Sequence, residues 1–158
     1  MIVYLIGSLR DAHVRTVAKV LRYRHVEVFD DWHAAGEKGD EEWMKYEKER
    51  GRTYWQALDG HAAKHTFEYD LHHLQQADVG VLVAPAGRSA HLELGYMLGQ
   101  GKPGIIYMPE EPERWDVMVK FATHVCQHLN GLVAHIEALK PRFSGVEQRE
   151  PSPYGSII

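Results

Sequence analysis

The chain has 158 residues, 44% of them hydrophobic and 25% charged, with a formal net charge of −4 and a sequence pI near 6.2. That length supports one domain with a real core, and the acidic balance excludes a general nucleic-acid binder, which needs a basic face, while leaving room for a small nucleotide ligand. The single cysteine, Cys126, excludes an internal disulfide and a cysteine-rich zinc site.

Residues 2–6, Ile-Val-Tyr-Leu-Ile, form a short apolar run that predicts a buried parallel strand. The strand pattern starts with no basic leader, and no apolar run reaches the roughly 18 residues of a membrane span. A cytoplasmic protein with no membrane partner and no nucleic-acid polymer as ligand is expected. After the turn Gly7-Ser8-Leu9-Arg10, Asp11 is placed to cap a helix over 12–24, with Val14, Val17, Ala18 and Leu21 on one face. Val26 to Phe29 predicts a second strand, so the opening reads as a β-α-β unit with a right-handed crossover. Residues 30–40 read as a loop carrying Asp31 and Trp32. A helix over 41–50 follows, ended by Gly51. Thr53 with Gln56 is a capping-box signature and opens one long helix to Gln76, with Gly60 tolerated inside it and Trp55, Leu58, Ala62, His65, Tyr69, Leu71 and Leu74 on its apolar face.

Val79 to Ala84 predicts the third strand. Gly87 permits a sharp turn, and Ser89 is the expected N-cap of a helix over 90–99. Strand four covers Gly104 to Met108, a short helix 113–122, and strand five 123–128, after which Asn130 caps a last helix carrying Leu132, Val133, Ile136 and Leu139. The sum is a single α/β domain, a flavodoxin-like or Rossmann-like three-layer sandwich on a five-stranded parallel sheet.

Two carboxylates stand out. Glu93 lies in the first turns of the helix after strand three, just past the sheet edge where open α/β sheets bind ligands. Asp70 lies in the helix leading into that strand. As a bare pattern the pair is weak, and Glu93 alone reads as an ordinary helix glutamate. A pair of this kind suits a glycosidic bond, where a retaining enzyme holds its carboxyls about 5 Å apart.

Three blocks give the pair a context: residues 3–10 (VYLIGSLR), residues 70–79 (DLHHLQQADV), and residues 87–95 (GRSAHLELG) with Gly101-Lys102. In sequence and spacing they resemble the nucleoside 2-deoxyribosyltransferases and their relatives, the 2'-deoxynucleoside 5'-phosphate N-hydrolases, over nearly the whole chain. The resemblance implies that Glu93 is the nucleophile at C1' of the deoxyribose, that Asp70 protonates the leaving base, and that Tyr4 orients Glu93. It implies nucleosides or nucleotides and free nucleobases as small-molecule partners, no cofactor, and a homo-oligomer built from dimers with shared active sites.

Transferase and hydrolase differ at the sugar's 5' end. Gly7, Ser8 and Arg10 resemble the turn with which the hydrolase reads a phosphate. Gly87 occupies the position that carries serine in the hydrolase and aspartate in the transferase, so Arg88 and Ser89 are candidates to substitute. The segment Arg114 to Met118 resembles the stretch lent by a neighbouring subunit, where Asp116 would accept from a free 5'-OH and repel a phosphate, with Met118 beside it. The tail Tyr154-Gly155-Ser156-Ile157-Ile158 resembles the transferase end. A deoxyribosyltransferase acting on nucleosides is the favoured reading; the alternative is a 5'-monophosphate N-glycoside hydrolase.

Among the aromatics, Trp43 and Trp55 are expected in the core, and Trp32 with Asp31 at the base pocket. The eleven histidines carry no H-E-x-x-H pattern, so no metal is assigned. His91, two residues before Glu93, supports the site or simply lies on the surface.

Overall fold

The computed structural model describes residues 1–144. Five parallel strands, β1 (Ile2–Ile6), β2 (Glu27–Phe29), β3 (Val79–Val83), β4 (Gly104–Tyr107) and β5 (His124–Cys126), form one sheet in the order β2-β1-β3-β4-β5. That is the doubly wound arrangement, with its switch point between β1 and β3. The inner strands β1, β3 and β4 are buried on both faces, as the middle of a parallel sheet requires, while the edge strands β2 and β5 keep exposed residues.

Side-chain alternation divides the core in two. Val3, Leu5, Val81, Val83 and Ile105 face the layer of α1 (Ala12–Tyr23) and α6 (Leu129–Leu139), where Val14, Val17, Leu21, Leu132 and Ile136 complete the packing. Tyr4, Ile6, Leu82 and Ile106 face the layer of α4 (His61–Gln76) and α5 (Arg88–Gly99), meeting Leu74, Ala90, Leu94 and Met97. Asp11 caps α1 as expected, accepting from the His13 amide at 2.9 Å. No helix among the described residues is long and apolar enough to cross a membrane.

Several local expectations change. The long helix over 53–76 is two: α3 (Tyr54–Leu58), opened by the Thr53–Gln56 capping box, and α4, with Gly60 as N-cap. The chain folds tightly at that joint, where a Cβ on Gly60 would lie 2.9 Å from the Ala57 carbonyl oxygen and 3.0 Å from an Arg52 guanidinium nitrogen. The expected apolar face therefore splits as well. Trp55 is 75% exposed and Leu58 is exposed, while Leu74 is buried and Tyr69 half-buried. Trp43, also expected in the core, is half-buried on α2 (Gly39–Glu49).

The loop after β2 contains a 3-10 turn, Asp31–Ala35. The helix after β3 starts at Arg88 with Gly87 as N-cap and no side-chain cap, so Ser89 sits inside its first turn. The expected helix 113–122 contracts to a 3-10 turn, Val117–Phe121, and α6 starts at Leu129, one residue ahead of its expected Asn130 cap.

Gly7 ends β1 in a space that a side chain would overfill: its Cβ would lie 2.7 Å from Val14 Cγ2 and 3.6 Å from the Val83 carbonyl oxygen. Val14 is fully buried and stiff at χ1. Gly7→Ala is expected to destabilise the fold by about 1–3 kcal/mol, seen as a lower urea midpoint at unchanged m-value.

Candidate active site

Tyr4 sits at the middle of β1, paired in register with Phe29 of β2 and Gly80 of β3. Its ring is 1% exposed. Gly80 has no side chain, and Met97 of α5 fills the space; a Cβ there would be 2.6 Å from Met97 Sδ. This lets α5 lie close against β3, with Glu93 one turn before Met97, over the carboxyl half of the sheet. Asp70 lies six residues before the end of α4, about 9 Å back along the helix toward that same edge. α4 and α5, the helices before and after β3, therefore deliver one carboxylate each to the face that carries Tyr4.

The three groups are coupled electrostatically. Glu93 is pushed up to about 7, by burial first and by the nearby Asp70 second. Asp70 is pushed up to about 6 by burial. The Tyr4 phenol is raised well above its ordinary value by burial and then by Asp70, Glu93 and Tyr69. Removing water from two neighbouring carboxyls disfavours charging both, so between pH 6 and 7 the pair holds roughly one shared proton.

The other sequence candidates lie at varying distance from this centre. In the turn after β1, Ser8 Oγ accepts from the Arg10 amide at 3.2 Å, and the Arg10 guanidinium is ion-paired with Glu41 of α2. Trp32 is half-buried, and its indole N–H donates to the Leu5 carbonyl at 2.7 Å, which pins the turn after β2 beneath the end of β1. Asp31 is exposed and near enough to act electrostatically on Tyr69 and His73. Gly87, Arg88 and Ser89 form the exposed start of α5, where His91 Nδ1 lies 2.7 Å from the Gly87 carbonyl oxygen and braces the turn. Asp116 and Met118 stand on the surface, with Asp116 accepting from the Met118 amide at 2.9 Å. The tail 154–158 lies outside the described residues.

One group was missed. His73 stacks on Phe29 with centroids 4.0 Å apart, and Tyr69 meets His73 edge-on at 4.7 Å. Tyr4 adjoins Phe29 at 4.9 Å, so the aromatic set continues to the Tyr4 phenol. The available signal was the spacing Tyr69, Asp70, His73, which puts both rings beside the acid on one helix. Among the described residues no group of three or more His, Cys, Asp or Glu side chains is arranged to hold a metal ion. A depression of about 640 Å³ lies elsewhere, around β5 and the start of α6, lined by His124, Cys126, His128 and Asn130 but by none of the three central residues.

Comparison with solved structures bears on the fold. The 2-deoxyribosyltransferase of the psychrotolerant bacterium Bacillus psychrosaccharolyticus matches with a TM-score of 0.57 and 18% identity, over 84% of this chain and 90% of that one. The chain shares that enzyme's fold. The CMP N-glycosidase BcmB of Clostridium botulinum matches at a TM-score of 0.47 and 11% identity, over 87% of this chain and 98% of that one. No protein-family model and no curated protein sequence matches the chain.

Raised carboxyl pKa values carry a stability consequence. The folded state keeps protons on Glu93 and Asp70 at pH values where the unfolded chain has lost them, so stability falls as pH rises from about 4.5 to 7. Glu93→Gln removes the larger of these penalties. It is expected to raise the melting temperature at pH 8, by a free energy on the order of 1–3 kcal/mol, and to leave it nearly unchanged at pH 4. Thermal scans across that range check the sign.

Proposed function

We propose that the chain is a nucleoside 2'-deoxyribosyltransferase working through a covalent glycosyl-Glu93 intermediate. The observation that carries this reading is the pair of half-buried, electrostatically coupled carboxyls beside a buried phenol, at the switch point of a fold shared with a 2-deoxyribosyltransferase. In the first step a Glu93 carboxylate oxygen attacks C1' of the deoxyribose. The C1'–N bond breaks, its electron pair stays with the base nitrogen, and the Asp70 proton neutralises the departing base. In the second step a nitrogen of another base attacks C1', the C1'–O bond to Glu93 breaks, and the acceptor's proton passes to Asp70.

The shared proton suits this sequence. A substrate base accepting a hydrogen bond from Asp70 localises the proton there, which leaves Glu93 ionised below C1'. The Tyr4 phenol, kept protonated by its surroundings, remains a donor for that carboxylate. An oxocarbenium-like transition state is stabilised by such a fixed anion. A nucleoside is favoured over a 5'-monophosphate because the Arg10 charge is already neutralised by Glu41. The pair is exposed and of the weak kind, so a phosphate competing for Arg10 is the specific feature that keeps the hydrolase as the second reading.

The site is further proposed to be completed by a second copy of the chain. Trp115 is 80% exposed, and Val117, Met118 and Phe121 beside Asp116 are exposed too, which gives the segment an apolar surface suited to another subunit. A monomeric mass in solution would remove Asp116 from the site.

The deciding assay incubates the protein with a 2'-deoxynucleoside and a second free base, with the corresponding 5'-monophosphate in parallel. A new deoxynucleoside is expected, with Glu93→Gln lowering its rate by at least about a thousandfold and Asp70→Asn lowering it most for poor leaving bases. Release of base from the monophosphate alone would select the hydrolase. Neither exchange nor free sugar over a broad panel would overturn the proposal.

A further inference from the structure

Tyr69 and His73, to which the sequence assigned no part in the site, share one edge of it with Asp31, which was expected at the base pocket. Tyr69 precedes Asp70 on α4 and His73 follows it by one turn, so both flank the acid. His73 has one face covered by Phe29, stacked at 4.0 Å and 14°, and Tyr69 abuts its ring at 61°. Tyr69 and His73 thus place a phenol and an imidazole on the stretch of α4 that carries Asp70, packed against the end of β2 through Phe29. Burial lowers the pKa of His73, so its ring stays neutral at pH 7, with one nitrogen donating and one accepting. Asp31, at the head of the turn after β2, is exposed and close enough for its charge to act on both rings. A wall built only for packing needs aromatic faces; this one ends in a carboxylate that accepts and cannot donate.

We propose that Asp31, Tyr69 and His73 form the base-recognition edge of the site, and that Asp31 selects nucleobases presenting an exocyclic amino group over those presenting a carbonyl at the same position. This rests on the reading of Asp70 as the acid that meets the leaving base, because the residues flanking that acid then see the base and not the sugar. The chemistry is asymmetric. An amino group donates to the Asp31 carboxylate as a charge-assisted hydrogen bond, whereas a carbonyl oxygen there faces a negative charge with no proton between them. A site built to bond a polar group rejects the analogue lacking it far more strongly than a methylene-sized change in an apolar pocket.

2'-Deoxycytidine and 2'-deoxyuridine test this, because the amino group of one is the carbonyl of the other. Equilibrium binding is measured calorimetrically on the Glu93→Gln chain, which removes turnover from the readout, with the 5'-monophosphates of both as a parallel pair. Deoxycytidine is expected to bind at least about tenfold tighter. Adding Asp31→Asn, an exposed substitution whose amide both donates and accepts, is expected to shrink the ratio to within about threefold by weakening deoxycytidine and strengthening deoxyuridine. Tyr69→Phe, which keeps the ring and removes the hydroxyl, is expected to weaken deoxycytidine alone. Equal affinity for both nucleosides, no binding of either, or a ratio unchanged by Asp31→Asn overturns the inference. A preserved preference with no turnover in the wild-type chain overturns the roles of Glu93 and Asp70 and leaves the recognition edge standing.

Discussion

The close seating of α5 on β3 is the constraint on which the site depends. It is made possible by what two glycines lack. Gly80, opposite Tyr4 in the β1–β3 register, leaves its space to Met97, and Gly104 on β4 leaves its space to Leu94 and Leu98, whose side-chain carbons lie within 2.8 Å of where a Cβ would be. Three side chains of one helix thus reach into the sheet surface. Glu93 belongs to the same helix and is carried down with them. A carboxylate cannot follow leucines toward a sheet without losing water, and that loss is what raises its pKa. The packing of α5 and the chemistry of Glu93 are two consequences of one approach distance.

The opposing wall is fixed by polar bonds at the far end of the helices. Lys102, in the turn between α5 and β4, donates to the Gln75 carbonyl at 2.7 Å and to the Leu74 carbonyl at 3.3 Å, placing a cation on the open C-terminal carbonyls of α4. Gln75 and Gln100 both donate to the Tyr96 hydroxyl, at 3.0 and 2.9 Å. These bonds tie the helix bearing Asp70 to the helix bearing Glu93 near the C-terminal ends of both. The separation of the two carboxyls is therefore held by α4 and α5 acting as one unit, which is how a site keeps two groups close that repel when both are charged.

What the sequence made legible follows from the range of the forces involved. The first four strands were readable from their short apolar, β-branched runs, since burial leaves a local signature, whereas the fifth, His-Val-Cys with two exposed residues, had no such run and was inferred from the helix expected to follow it. The Asp11 cap and the Thr53–Gln56 box were readable because both partners lie within three residues. Gly60 was misjudged because its need for a small residue comes from Arg52 and the Ala57 carbonyl packed across a joint, not from helix propensity. The Arg10–Glu41 pair, 31 residues apart, had no local sign. Glu93 and Asp70 stood out by position only as a weak pair, and resemblance to enzymes that carry such a pair gave them roles, since two acids on two helices declare little until the sheet brings those helices together. Tyr69 and His73 show the limit most clearly. Their neighbours in space, Phe29 and Asp31, come from the turn after β2, and no periodicity along α4 could have named them.

The two sides of the site are built on different terms. Around Asp70 the chain supplies its own wall, an aromatic set running from Tyr4 through Phe29 to His73 and Tyr69. Beyond Glu93 the chain offers the exposed turn Gly87-Arg88-Ser89, with a helix start that no side chain caps. Uncapped N–H groups at a helix N-terminus favour an acceptor oxygen, and a sugar oxygen is a weaker claim on them than a phosphate would be. The Asp70 side is thus walled by aromatic rings of the chain itself, while the turn beyond Glu93 is exposed and polar. The base exchange proposed above would use that difference, because in it the base changes between the two steps whereas the sugar stays bound through both and needs only to be held.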